Sequence, residues 1–118
     1  MEVSNNFLNY FLVWTSQHIS RDHKPTEKDE FERIKNCGGR VEPMRDEKGN
    51  HVGPPRVWLK DENIPGLGMS RSFGDKIGNQ VGVIAKPEIM EWVLSEEDKF
   101  IIIASDGIWE FMDSEDVS

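Results

Sequence analysis

Cysteine is almost missing from this sequence, because Cys37 is the single thiol among 118 residues. An intrachain disulfide is therefore impossible, and we expect a protein of a reducing compartment, cytoplasmic or nuclear. Cys37 precedes Gly38-Gly39 at a predicted helix end, and no histidine near it in sequence is marked as a base. A structural thiol is therefore favoured over a nucleophile.

Long apolar runs are missing as well. The longest N-terminal apolar patch, Phe7 to Trp14, is interrupted by Asn9 and falls short of the roughly 20 residues that a membrane helix needs. It has neither a basic leader nor a small-residue cleavage site, so we predict no signal peptide. Residues 1–13 show no clear period and fit a buried strand, a short helix or a partner-facing segment.

Positive charge is scarce, with 14 basic against 22 acidic residues and a net charge of -8. This balance argues against nucleic acid or an anionic membrane as a partner. It is compatible with divalent cations, and equally with an ordinary solvated acidic surface. The length allows one domain with a modest core, given 36% hydrophobic and 31% charged residues.

The usual phosphate loops are also absent. The glycine-rich stretch from Gly66 to Asp75 has Arg71 at the position where a dinucleotide-binding loop has its third glycine. The Gly-Lys-Ser/Thr sequence of a P-loop does not occur either. A structural turn leading into a short helix is expected there instead. The histidines, His18, His23 and His51, lack metal-ligand spacing.

A helix is predicted over Thr26–Asn36. Thr26 stands where an N-cap should, Asp29 and Arg33 form a favourable i,i+4 pair, and Gly38 or Gly39 would supply a left-handed cap. The pattern of Phe31 and Ile34 predicts an amphipathic cover for a sheet.

An exposed excursion is predicted from Arg40 to Pro55, with a turn at Asp46–Asn50 and a strand stop at Pro54-Pro55. Arg56–Leu59 should resume extension. In this segment, we favour a core position for Trp58 over an exposed position at a loop tip that contacts a partner.

Two further strands are predicted, a half-buried one over Glu88–Leu94 and a fully buried one over Phe100–Ala104. The second runs into Asp106-Gly107, which delivers a carboxylate at a strand end. Such a carboxylate is either part of an ordinary turn or a metal ligand. Glu110, four residues later, would lie on the same side as Asp106 if the chain coils after Gly107. Asp113 to Ser118 is typical of a helix start.

Several ordered segments together resemble the second half of the metal-dependent type 2C protein serine/threonine phosphatases. The segments that carry the resemblance are Asp22-His23-Lys24-Pro25, Arg33-Ile34, Gly38-Gly39-Arg40-Val41, the stretch from Pro65 to Asp75, Pro87-Glu88-Ile89 and the stretch from Ala104 to Trp109. The resemblance covers residues 14–118 and leaves residues 1–13 unmatched.

The resemblance implies an α+β fold, part of a β-sandwich flanked by antiparallel helices. It implies two Mg²⁺ or Mn²⁺ ions in the complete domain and phosphoserine and phosphothreonine proteins as substrates. Asp106 corresponds to a metal ligand, and Glu110 falls where many members carry a second carboxylate. Residues 41–59 correspond to a variable flap that helps to choose substrates, and this makes Trp58 a candidate surface residue.

Other family features do not occur in this sequence. The Asp-Gly-His-Gly-Gly segment, the upstream phosphate-binding Arg and the final Asp-Asn pair are absent. One aspartate cannot hold two ions, so we expect the isolated chain to be inactive or nearly so. The alternative is a non-catalytic phosphatase-like interaction module, which would self-associate through exposed sheet edges.

Overall fold

The computed structural model describes residues 15–113 and 116. These residues form two compact units, one made of residues 21–89 and the other of the described residues before 21 and after 89. The regular elements are α1 (Lys28–Asn36), β1 (Arg40–Arg45), β2 (His51–Trp58), β3 (Pro65–Leu67), a 3-10 helix (Gly78–Val81) and α2 (Asp106–Trp109). Within these ranges no helix is long and apolar enough to cross a membrane.

The unit of residues 21–89 is built on an antiparallel sheet in the order β1-β2-β3. One face of the sheet meets α1, and the buried core between them is Ile34, Val57, Val81 and Val83, with Val41, Leu59 and Leu67 packed against it. Helix and antiparallel sheet together agree with the predicted α+β class. The larger sandwich and its flanking helices remain a prediction.

Helix α1 begins later than its sequence predicts. The amide of Glu27 donates to the carbonyl of Lys24 and closes a turn around Thr26, so the N-cap is Glu27, with no side-chain cap. The C-terminal prediction is confirmed, because Gly38 has a φ of 83°. The amides of Gly38 and Gly39 donate to the carbonyls of Lys35 and Ile34, the pattern of a Schellman motif.

The excursion is a hairpin of β1 and β2, and its predicted turn is confirmed by hydrogen bonds between Asp46 and Asn50. The predicted strand stop at Pro54-Pro55 is wrong, because β2 runs through both prolines. The pairing register shifts between Glu42 and Met44. Prolines, which have no amide hydrogen, are tolerated at such an irregularity.

The turn from Gly66 to Asp75 does lead into a short helix, as the sequence predicts. The carboxylate of Asp75 accepts hydrogen bonds from the amides of Ile77 and Gly78, at the start of the 3-10 helix. This carboxylate fixes the entry into the segment that carries Val81 into the core.

The strands predicted at Glu88–Leu94 and Phe100–Ala104 are not formed, since no residue of either segment is assigned to a strand. Ile103 is 92% exposed and Ile101 is 56% exposed, so the prediction of a fully buried strand is wrong. An extended segment becomes a strand only beside a neighbour that pairs its backbone groups. The described residues provide no such neighbour for these two segments.

The predicted helix start at Asp113 to Ser118 lies partly outside the described residues. Of that segment the structure describes Asp113 and Asp116, whose amides each donate to the other's carboxylate. Reciprocal bonds of this kind are typical of a helix N-terminus. The predictions for residues 1–13 lie outside the described residues altogether.

Candidate functional site

Asp106 is the first residue of α2, directly after Ser105, whose backbone is extended. Its side chain is exposed. The indole nitrogen of Trp109 donates to the carbonyl of Ala104 at 2.8 Å, so the short helix is tied back to the segment that precedes it. The carboxylate therefore stands at a defined bend, as the sequence predicts, although the segment before it is no strand.

Glu110 follows Asp106 by one helical turn, because its amide donates to the Asp106 carbonyl at 2.9 Å. Helical geometry places residues four apart on the same side. Both side chains are exposed. The sequence predicts that these two carboxylates lie on the same side if the chain coils after Gly107, and the chain does coil there.

These two carboxylates do not form a complete metal site. Among residues 15–113 and 116, no group of three or more histidine, cysteine, aspartate or glutamate side chains is placed to hold a metal ion. Hard divalent cations need several oxygen ligands, and two carboxylates leave most positions to be filled. The residues described therefore do not fit a two-metal centre by themselves.

Trp58 lies at the end of β2 and is only 8% exposed. Its indole nitrogen donates to the carbonyl of Glu42 at 2.8 Å. A Cβ placed on Gly66 would lie 2.8 Å from the indole ring, so β3 packs directly on the tryptophan. Trp58 therefore holds the hairpin to β3, as expected of a core residue, and does not project as a surface residue.

The sheet face opposite α1 carries a cleft of about 460 Å³ beside Trp58. We call it the outer-face cleft. Its lining includes Pro43, Met44, Arg45, Arg56, Trp58 and Pro65. Val57 and its cross-strand partners Val41 and Leu67 point toward the core, so the alternation of β2 sends Arg56 and Trp58 to the opposite face. Sequence reasoning did not find this cleft.

A buried ion-pair cluster was also missed. The Glu30 side chain is fully buried and accepts hydrogen bonds from the guanidinium groups of Arg33 and Arg71 and from the hydroxyl of Ser70. The Arg33 hydrogen bonds hold the pKa of Glu30 well below its usual value, with Arg71 and Ser70 adding to the effect. The i,i+3 spacing of Glu30 and Arg33 was the one signal that could have indicated it.

An exposed part of the same network surrounds Arg21. Its guanidinium donates to Asp29 and to Glu88, and Glu88 also pairs with Arg71. Hydrogen bonding by Arg21 lowers the pKa of Asp29 to about 2. The predicted pair of Asp29 with Arg33 is wrong, because each residue bonds to a different partner. The network ties α1 to the segments around Arg71 and Glu88.

The family model and the similar proteins all carry the same description. The family model described as "Protein phosphatase 2C" matches residues 10–118. The chain is 45% identical over 98 residues to "Probable protein phosphatase 2C 64" of Oryza sativa subsp. japonica, which covers 83% of this chain and 22% of the relative. It is 47% identical over 99 residues to "Probable protein phosphatase 2C 52" of Arabidopsis thaliana, covering 84% of this chain and 20% of the relative.

A third relative, "Probable protein phosphatase 2C 72" of Arabidopsis thaliana, is 41% identical over 99 residues, covering 84% of this chain and 29% of the relative. The chain therefore spans less than a third of the length of the curated relatives it matches.

Proposed function

Because the chain belongs to the protein phosphatase 2C family, we propose that it forms part of a metal-dependent enzyme that removes phosphate from phosphoserine and phosphothreonine in proteins. The observation that carries the proposal is the position of Asp106, an exposed carboxylate at the first turn of α2. It stands in the segment, Ala104 to Trp109, that most resembles the family's metal-binding motif.

We assign residues 14–118 to part of the catalytic domain and residues 41–59 to the substrate-selecting flap, with residues 1–13 as an N-terminal segment of which the family model matches only residues 10–13. The hairpin of β1 and β2 supports the flap assignment, since it spans nearly the same residues. Phosphoproteins are the proposed substrates. The net charge of -8 supports a protein that binds neither nucleic acid nor anionic membrane, and the lack of a second cysteine supports a cytoplasmic or nuclear location.

Mg²⁺ or Mn²⁺ is the proposed cofactor, with Asp106 as one ligand and Glu110 as a second carboxylate nearby. The described residues do not complete such a site, so the remaining ligands would have to come from elsewhere in a complete domain. For this reason we propose that the isolated 118-residue chain is inactive or nearly so as a phosphatase.

A segment exchange tests the proposal. Residues 15–118 replace the matching segment of Probable protein phosphatase 2C 52 from Arabidopsis, and phosphate release from a phosphoserine peptide is measured with Mn²⁺, beside the unchanged relative. The chimera should retain activity. Asp106→Ala should lower it by at least about 100-fold, because even the partners of metal ligands typically contribute 10- to 100-fold.

The control is Asp61→Ala, which removes another exposed carboxylate and should leave the chimera's rate unchanged. A chimera in which Asp106→Ala is as active as the parent chimera would contradict the assigned role.

A second candidate function is a non-catalytic interaction module. It is favoured by the many exposed apolar side chains after residue 88, among them Val93, Leu94, Ile103 and Phe111. Apolar surface of that kind is typical of protein contact sites. Activity in the chimera that depends on Asp106 would argue against this alternative.

A further inference from the structure

The outer-face cleft combines apolar walls with an uncompensated positive charge. Pro43, Met44 and Pro65 supply apolar surface, and Trp58 also lines the cleft. Its volume of about 460 Å³ lies in the range of sites that enclose small ligands. The cleft is therefore large enough to receive side chains from another molecule.

Arg56 supplies the positive charge. Its Nη1 donates to the carbonyl of Gly66 at 2.9 Å, which fixes the guanidinium beside β3. In the part of the chain that the structure describes, no carboxylate lies within 4.0 Å of this guanidinium, although Glu42 is its cross-strand partner. A guanidinium held in place retains donors for a planar anion such as a carboxylate.

The charge of Glu42 is already engaged. Its carboxylate bonds to Arg40 and lies 3.8 Å from the guanidinium of Arg45. Two arginines, Arg45 and Arg56, line the cleft with this one acid, so the cleft is locally basic in a chain whose net charge is -8. This local reversal of charge favours an anionic occupant.

We propose that the outer-face cleft binds an acidic peptide segment, with an aspartate or glutamate carboxylate on Arg56 and an adjacent apolar side chain against Met44 and Pro65. Reading this peptide as a segment of a phosphatase substrate rests on the proposed function. The cleft would then select substrates by a carboxylate outside the phosphorylated residue. A second copy of this chain is the less favoured occupant, because the exposed apolar side chains after residue 88, through which copies would associate, lie outside the cleft lining.

Binding can be tested on the complete 118-residue chain without turnover, so failure here and failure of the proposed phosphatase activity can be told apart. A fluorescent peptide with a central Glu-Leu-Pro-Glu sequence is titrated with the chain at low salt, and its anisotropy gives Kd. The Gln-Leu-Pro-Gln peptide should bind about tenfold more weakly, the usual loss for a hydrogen bond to a charged group. Raising the NaCl concentration should weaken the Glu peptide alone.

Arg56→Gln should weaken the Glu peptide by about tenfold. The matched control is Lys28→Gln, which removes the same charge at the exposed first residue of α1, outside the flap and the cleft, and should leave Kd within about twofold. Amide NMR shifts caused by the peptide should fall on residues 42–45 and 56–58. The NMR shifts and the comparison of the Glu and Gln peptides are both measured on the parent chain. They therefore still test the proposal if Arg56→Gln does not fold.

Equal binding of the Glu and Gln peptides would overturn the proposal. A peptide with phosphoserine in place of the glutamates is titrated in parallel, and binding confined to that peptide would also overturn the proposal, because the cleft would then be a phosphate site. Shifts that arise on residues 42–45 from increasing chain concentration, with no response to peptide, would assign the cleft to a second copy.

Discussion

Glu30 has the most constrained side chain in the unit of residues 21–89. Its carboxylate is fully buried, and it is stable there because Arg33, Arg71 and Ser70 all donate to it. A buried charge is costly unless it is paired and hydrogen-bonded. The same contacts join α1 to the segment at Ser70 and Arg71, which lies about 40 residues away in the chain.

Replacing Glu30 should destabilise the fold. Glu30→Gln removes the charge that Arg33 and Arg71 share and should lower the free energy of unfolding by about 3 kcal/mol. Glu32→Gln, an exposed change on the same helix, should cost less than about 0.5 kcal/mol. Urea unfolding followed by circular dichroism measures both. Equal midpoints for the two variants would show that the buried cluster contributes little.

Acid should destabilise the parent protein more than it destabilises the Glu30→Gln variant. The pKa of Glu30 is lowered in the folded state, so its contribution to stability is present above the unfolded pKa of about 4.3 and is lost as the pH falls toward the folded value. Between pH 7 and pH 3 the urea midpoint of the parent should therefore fall further than that of Glu30→Gln. Parallel losses in both would contradict this linkage.

At the scale of elements, the sequence correctly predicted the features of helices and turns that depend on contacts between residues close in sequence. The left-handed residue Gly38 after α1 and the turn at Asp46–Asn50 are set by nearby backbone and side-chain bonds, and both predictions are confirmed. The run through Pro54-Pro55 was not predictable, because it depends on a register shift in the paired strand. The Phe100–Ala104 prediction failed for a related reason, since hydrophobicity alone does not supply a pairing neighbour.

The candidate site shows the same division. Asp106 and its short helix follow from an Asp-Gly pair and helical spacing. The outer-face cleft and the contacts of Glu30 with Ser70 and Arg71 join residues far apart in sequence, and no spacing rule indicates such contacts. The family resemblance found in the sequence is confirmed by the match over residues 10–118.

The packing of β3 on Trp58 can be tested with a pair of glycine variants. Gly66 and Gly53 have similar φ angles of 74° and 76°, so alanine is strained at both. At Gly66 the new Cβ would also lie 2.8 Å from the Trp58 ring, whereas at Gly53 it meets nothing within 4 Å. Gly66→Ala should therefore cost about 1–3 kcal/mol more than Gly53→Ala.

Urea unfolding of the two glycine variants gives that difference directly. Equal destabilisation would mean that the indole moves aside without cost and that Trp58 does not anchor β3.

At the scale of the whole molecule, apolar surface is concentrated after residue 88. Val93 and Ile103 are almost fully exposed, and the extended segments that contain them have no paired neighbour among the described residues. Unpaired extended backbone and exposed apolar side chains both favour association with other chains.

The isolated chain should therefore self-associate. Light scattering should give an apparent mass that rises with concentration, and an apolar dye should bind. Ile103→Glu places a charge at the centre of the exposed run and should reduce both effects, whereas Val52→Glu, an exposed change in the hairpin, should not. A monomer at all concentrations with no dye binding would contradict this expectation.

We propose above that this chain carries part of a phosphatase site and cannot complete it alone. The most direct measurement is phosphate release from a phosphoserine peptide by the purified 118-residue chain with Mn²⁺, beside its Asp106→Ala variant. Both proteins should release no more phosphate than buffer with Mn²⁺. Phosphate release by the parent chain that disappears in Asp106→Ala would show that the chain completes the site alone.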